Sequence, residues 1–375
     1  MMRVLIGTAT VAVVLMSVGL RSASAADLVE INMGRDESGA LRRGQLIGDI
    51  IAERWDEGVT IRYMKSGKPA QRTVPLDLVL SVQRSELPAN LSMGLLELRT
   101  RKYRDALEHL RLASEDVEKD GPQWAEPYVL FHGGQAAFNE AKYAQVELEQ
   151  KQKYYDQAQK LFDGMIQKDP SHRFVPDAVL GRGVALTWLG DHAQARAVLE
   201  AARDTAGYPR KVRAAAEVWL GRLVAEEGKV DQAVAELVAA REKLMEDYPD
   251  LAYQAMLGEA YARQKKGTTA AQREAENLFE TVGLRSPEEE VRAEAFNSRG
   301  ISLKNRGDER EALLSFLRVV VLHRNIPQEH QRALCEAARL SKQYYGDDER
   351  AKELADQLHF TYPGSYWDKK LQEDL

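Results

Sequence analysis

The sequence predicts a mainly α-helical solenoid of about seven stacked helix pairs, preceded by a small β-barrel-like module. Three observations carry this. First, a small residue is followed after seven positions by Gly, after five more by Ala, and after four more by a large apolar residue. This spacing recurs as Gly183, Gly190, Ala195, Leu199; as Gly221, Gly228, Ala233, Leu237; and as Gly300, Gly307, Ala312, Phe316. Self-similarity over a few tens of residues marks a repeat architecture in which each unit buries its apolar face on the next. Second, residues 27–84 lack this period and alternate apolar with polar instead. Third, alanine is abundant in the second half of the chain, as close helix-on-helix packing requires.

The first 25 residues stand apart. Arg3 opens a short basic start, Val4 to Leu20 is apolar, and Ala23-Ser24-Ala25 is a small-x-small cleavage site followed by Ala26-Asp27. That layout is expected of a secretory signal peptide cleaved near Ala25-Ala26, giving an exported, periplasmic or secreted protein. The alternative is an uncleaved anchor, but the run is shorter than the ~20 apolar residues a spanning helix needs. No later stretch is long enough to span a bilayer. The chain carries 52 Lys+Arg against 58 Asp+Glu. Loss of Arg3 and Arg21 with the leader moves the net charge from −6 to −8. A mildly acidic chain with interspersed signs lacks the basic footprint of a nucleic-acid binder. Cys335 is the single cysteine, so no internal disulfide forms. Its neighbours Ala333, Leu334, Ala337 and Ala338 make it a small buried hydrophobe.

The β-rich module is read over residues 27–84. Leu28 to Met33 alternates and ends in a turn-like stretch from Gly34 to Gly39. Gln45 to Ala52 is a second apolar run, Asp56-Glu57-Gly58 a turn, and Val59 to Tyr63 a clean alternation. Ser66-Gly67-Lys68-Pro69 is a further turn, and Arg72 to Val74 and Leu76 to Val82 complete about five short strands. The pattern Gly44-x3-Gly48-x-Ile50, Glu57-Gly58-Val59-x-Ile61, Val74-Pro75 and Leu80 resembles small SH3-like or Sm-like barrels. Such barrels precede helical repeats in exported proteins of planctomycete-type bacteria. The resemblance implies a peptide- or glycan-binding module; a cover for the end of the helical stack fits the same residues.

Glu86-Leu87-Pro88 marks the boundary, and the helical array is read over residues 88–367. Seven units can be laid out. The first centres on Gly94 and Ala106, and the second pairs Gly134 with Ala158, Phe162 and Pro170. The third, fourth and sixth are those quoted above. The fifth holds Gly258, Tyr261, Ala275, Phe279 and Pro287, and the last Gly346, Ala351 and Pro363. This pattern resembles the tetratricopeptide repeat, two antiparallel helices in ~34 residues. In that family the small residues let the two helices approach and the large residue fills the space between pairs. The Gly takes the turn and Pro stops the second helix. Lys142 to Lys153 adds about a dozen residues to the second unit, read as lengthened helices. A shorter insertion lies around Lys265 to Thr269. Arg339 replaces the small residue of the last unit, which fits a terminal cap. The tail from Tyr362 to Trp367 resembles repeat ends in periplasmic tetratricopeptide proteins of envelope assembly.

No zinc-binding His pair, Gly-rich phosphate loop or nucleophile elbow is present. His109, His132, His172, His192, His323, His330 and His359 are scattered. The acidic run Glu288-Glu289-Glu290 suits a helix start. No enzyme activity, metal or cofactor is therefore expected, and binding is the expected role. The family resemblance implies a concave groove lined by the first helix of each pair. Its positions fall on Trp188, Arg222, Glu226, Glu259, Arg263, Asn297, Ile301 and Lys304. Stacked Arg222, Arg263 and Lys304 would suit an anionic or carboxylate group, although the family's chaperone-binding Lys-Asn clamp is not reproduced. Each of these charges also fits an ordinary solvated surface. The function implied is a non-catalytic exported scaffold that takes a partner peptide or protein in the groove. The alternative is an accessory module of envelope machinery that binds peptidoglycan or polysaccharide.

Overall fold

A computed structural model describes residues 26–35, 41–143 and 146–374. The expected leader, residues 1–25, lies outside the described residues, as does most of the turn after Gly34. Five strands come first: β1 (Asp27–Arg35), β2 (Leu41–Arg54), β3 (Gly58–Lys65), β4 (Lys68–Val74) and β5 (Val79–Gln83). They form one antiparallel sheet in the order β4-β3-β2-β1-β5. β2 is long enough to pair with β1 through its first half and with β3 through its second. A bulge between Ile50 and Ala52 bends it, and the sheet wraps around Val29, Ile50, Val59 and Ile61. The strand expected from Leu76 begins only at Val79, because Leu76–Leu78 makes a 3-10 turn after Pro75.

Fifteen α-helices follow among the described residues. Seven pairs are formed by α1 (Ala89–Arg99) with α2 (Tyr103–Lys119), α3 (Glu126–Tyr143) with α4 (Leu148–Lys168), and α5 (Val175–Leu189) with α6 (His192–Asp204). Next come α7 (Arg210–Glu226) with α8 (Val230–Leu244), α9 (Pro249–Lys266) with α10 (Thr269–Arg285), α11 (Glu289–Arg306) with α12 (Glu309–Leu322), and α13 (Pro327–Tyr345) with α14 (Asp348–Thr361). A final α15 (Tyr366–Asp374) packs on the last pair. Its Trp367 and Leu371 are buried against that pair's core. In the long second unit α4 is lengthened, at 21 residues, while α3, at 18, matches α9 and α11. No described helix is long and apolar enough to cross a membrane.

The repeat signature has a direct steric meaning. Gly190, Gly228 and Gly307 turn the chain between paired helices with φ of 81°, 82° and 87°, the left-handed region that Gly enters without a Cβ clash. At Gly300 an added Cβ would lie 2.7 Å from the Phe316 ring. The large residue therefore rests on its own pair's glycine. Phe162 does more: its ring covers Gly134 in its own pair and Gly181 in the next, so one side chain sets both spacings.

The β module lies along the side of the stack. Arg173 N–H donates to Glu53 O at 3.0 Å, and Trp55 N–H to Ser171 O at 2.9 Å. The Trp55 indole N–H reaches Pro170 O at 3.0 Å, and its ring meets Tyr208 edge-on at 5.1 Å. These contacts are with the turns after α4 and α6. Beneath them the Glu53 carboxylate, 2% exposed, joins Arg84 and Arg173 and accepts from the Tyr128 hydroxyl at 2.7 Å. Burial alone would raise the Glu53 pKa, but the two guanidiniums and the hydroxyl outweigh it and hold it below the usual value.

Candidate inner-face binding site

The first helices of the pairs line the inside of the coil, and the coil turns far enough for its two ends to face each other. Around one chamber of about 410 Å³ stand Phe138, Asn139 and Lys142 of α3, Trp219 and Arg222 of α7, Gln254 and Leu257 of α9, and the acidic start of α11. The second and sixth pairs thus meet across the inside. Lys142 Nζ donates to Glu294 at 3.0 Å, bridging them. The Tyr261 hydroxyl donates to the same carboxylate at 3.0 Å and lies 2.8 Å from the Ser298 hydroxyl. Burial raises the Glu294 pKa, but Lys142 and Arg222 outweigh it and keep the group ionised. Burial also lowers the Lys142 pKa, an effect that Glu294 and Glu290 overcome. Both partners are therefore charged at neutral pH.

Arg222 differs from its neighbours. Its guanidinium lies 4.6 Å over the Trp219 ring. Among the described residues no carboxylate lies within 4.0 Å of it, and the group faces the chamber. A cation seated on an aromatic face stays ordered while keeping its N–H donors free for an acceptor.

The other groove positions are distributed as follows. Trp188 ends α5, is 45% exposed, and stacks on Tyr155 at 6.0 Å with the rings 11° from parallel. Glu226 accepts from Lys265 at 2.6 Å. Glu259 is buried between Arg241 and Arg263, at 2.7 and 2.8 Å. Arg263 also pairs with Glu274. Asn297 is fully buried, and its Nδ2 donates to both the backbone oxygen and the carboxylate of Glu329. Ile301 packs against the C-terminal core, and Lys304 lies 2.5 Å from Glu336. Of the three cations expected to stack, only Arg222 lacks a carboxylate partner among the described residues. Arg263 and Lys304 already face carboxylates of their own chain.

Lys142, Trp219, Gln254 and Glu294 were not among the positions read from the sequence. Trp219 stands three residues before Arg222, on the same helix face, and helical spacing alone would have found it. Lys142 lies in the inserted stretch, where no repeat register assigns it a face. Among the described residues no three His, Cys, Asp or Glu side chains are grouped to hold a metal ion.

No family model and no curated protein matches the chain. Solved structures are similar to part of the chain. Human IFIT1, as a dimer with PPP-AAAA, is 15% identical with a TM-score of 0.49, covering 78% of this chain and 63% of that one. This chain therefore spans less than two thirds of the IFIT1 length. The Rap protein complexed with competence and sporulation factor is 18% identical with a TM-score of 0.47, covering 76% of this chain and 75% of that one. A tetratricopeptide repeat protein from Parabacteroides merdae is 14% identical with a TM-score of 0.41, covering 76% and 96% respectively. The assignment of a tetratricopeptide-type array rests on the helix pairs and their glycine contacts.

Proposed function

We propose that this protein is a non-catalytic interaction scaffold that holds an extended segment of a partner protein against the inner face of its helical coil. The single observation that carries this reading is Arg222. It is fixed on Trp219 and presents unpaired donors to a chamber walled by Phe138, Leu257 and the polar side chains Gln254 and Asn139. The acidic start of α11 and Lys142 complete the wall, so apolar surface and placed polar groups meet in one concave site. An extended peptide would offer backbone carbonyls or a carboxylate to the guanidinium and a side chain to the aromatic wall. We read the leader-like start of the chain as an export signal, which would put the partner in the envelope or outside the cell.

Capture from envelope extract tests this. Arg222→Glu should reduce recovery of the specific partner at least tenfold, a loss of about 1.4 kcal/mol or more. Glu242→Arg, on the outer helix α8, should leave recovery unchanged. Equal recovery by Arg222→Glu and the native protein would sink the inner-face reading.

A further inference from the structure

Chambers of about 440, 410 and 410 Å³ lie around Arg101, which lines all three. Arg101 sits in the turn between α1 and α2 with φ of 62°, a left-handed conformation uncommon for a residue with a side chain. From there it reaches the far end of the array. Its Nη1 donates to Asn325 O at 3.2 Å and its Nη2 lies 3.8 Å from Glu290. Its own carbonyl accepts from Gln328 Nε2 at 3.2 Å. With the Lys142–Glu294 pair at 3.0 Å, four polar contacts join the first two helix pairs to the last two. Successive pairs share broad helix faces, but none of α1, α2 and α3 packs broadly on α11 or α13. Among the described residues the contacts across the seam are polar, and such contacts can open without disturbing a core.

We propose that this seam is an intramolecular gate to the inner face. Each chamber alone is the size of a small-molecule pocket. An extended peptide following the inner helices needs them joined, and they are joined when Arg101 leaves Asn325, Glu290 and Gln328. Closing it again behind the segment would clamp the segment within the coil. The gate rests on the inner-face reading above and adds its control: the partner competes with the chain's own first turn for the last repeats.

Spin labels at Lys102→Cys and Leu322→Cys in the full chain report the seam directly, since Cys335 is buried. The distance distribution should be short and narrow in the otherwise native protein. It should lengthen and broaden in Lys142→Glu with Arg101→Glu, while the helical circular dichroism is unchanged. Lys142→Glu alone should open the seam partly, and Glu294→Lys added to it should restore the short distance. A distribution that stays the same in all these variants overturns the gate. The readout contains no partner. It can therefore fail while Arg222→Glu still abolishes capture, and it can succeed while capture is unaffected.

Discussion

At the scale of single residues, two kinds of position carry the structure. Glycines under an apolar side chain are the first. Gly300→Ala places a methyl group 2.7 Å from the Phe316 ring and should cost about 1–3 kcal/mol in urea unfolding, the usual penalty for overpacking. Glu242→Ala on the outer surface should change stability by less than about 0.5 kcal/mol. The second kind is Glu53, a buried carboxylate between two arginines. Its removal in Glu53→Ala leaves Arg173 without its buried counter-charge and Arg84 with Asp27 alone, and should cost about 3–5 kcal/mol. Because its folded pKa is depressed, its contribution is full above the unfolded value of ~4.3. That contribution is lost as pH falls through the folded pKa. Stability measured from neutral pH downward should therefore decline more steeply in the native protein than in Glu53→Gln. The repeat glycines were legible in the sequence because each answers a steric demand set within one helix pair. Glu259 and Asn297 were read as groove positions, and they are buried because their partners, Arg241 and Glu329, come from neighbouring helices whose contacts spacing does not reveal.

At the scale of elements, the β module and the helical array behave as one body. Trp55 wedges against Gly207 and Tyr208 while its indole N–H reaches Pro170. Trp55→Ala removes the wedge and a hydrogen bond together, and should cost about 2 kcal/mol or more. The loss should be local: amide exchange should quicken in β2 and β3 and stay unchanged in α11 to α14. Five strands and fourteen paired helices were visible in the sequence, since alternation and helical period are local signals. The module's place was not visible. It lies on the turns after α4 and α6, and this depends on Trp55 meeting residues more than a hundred positions later. Of the extra residues read as lengthened helices in the second unit, Lys142 and Tyr143 end α3 and 148–153 open α4, while Val146 and Glu147 lie outside both helices.

At the scale of the whole molecule, the array curls until its second and sixth pairs face each other, and this creates the site. The closure sums small rotations from pair to pair, and no window of sequence records the sum. Hence Arg222 was singled out by register alone, while Lys142, Glu294 and Arg101 emerged only when the coil brought them together. The central claim is that a partner segment lies inside that coil. A photo-crosslinking side chain placed at Gln254, inside the chamber, and in a separate variant at Glu242, on the outer surface, tests it most directly. In envelope extract the Gln254 variant should yield a discrete crosslinked partner that disappears with Arg222→Glu, and the Glu242 variant should not yield it. A partner crosslinked from Glu242 and never from Gln254 would contradict the account.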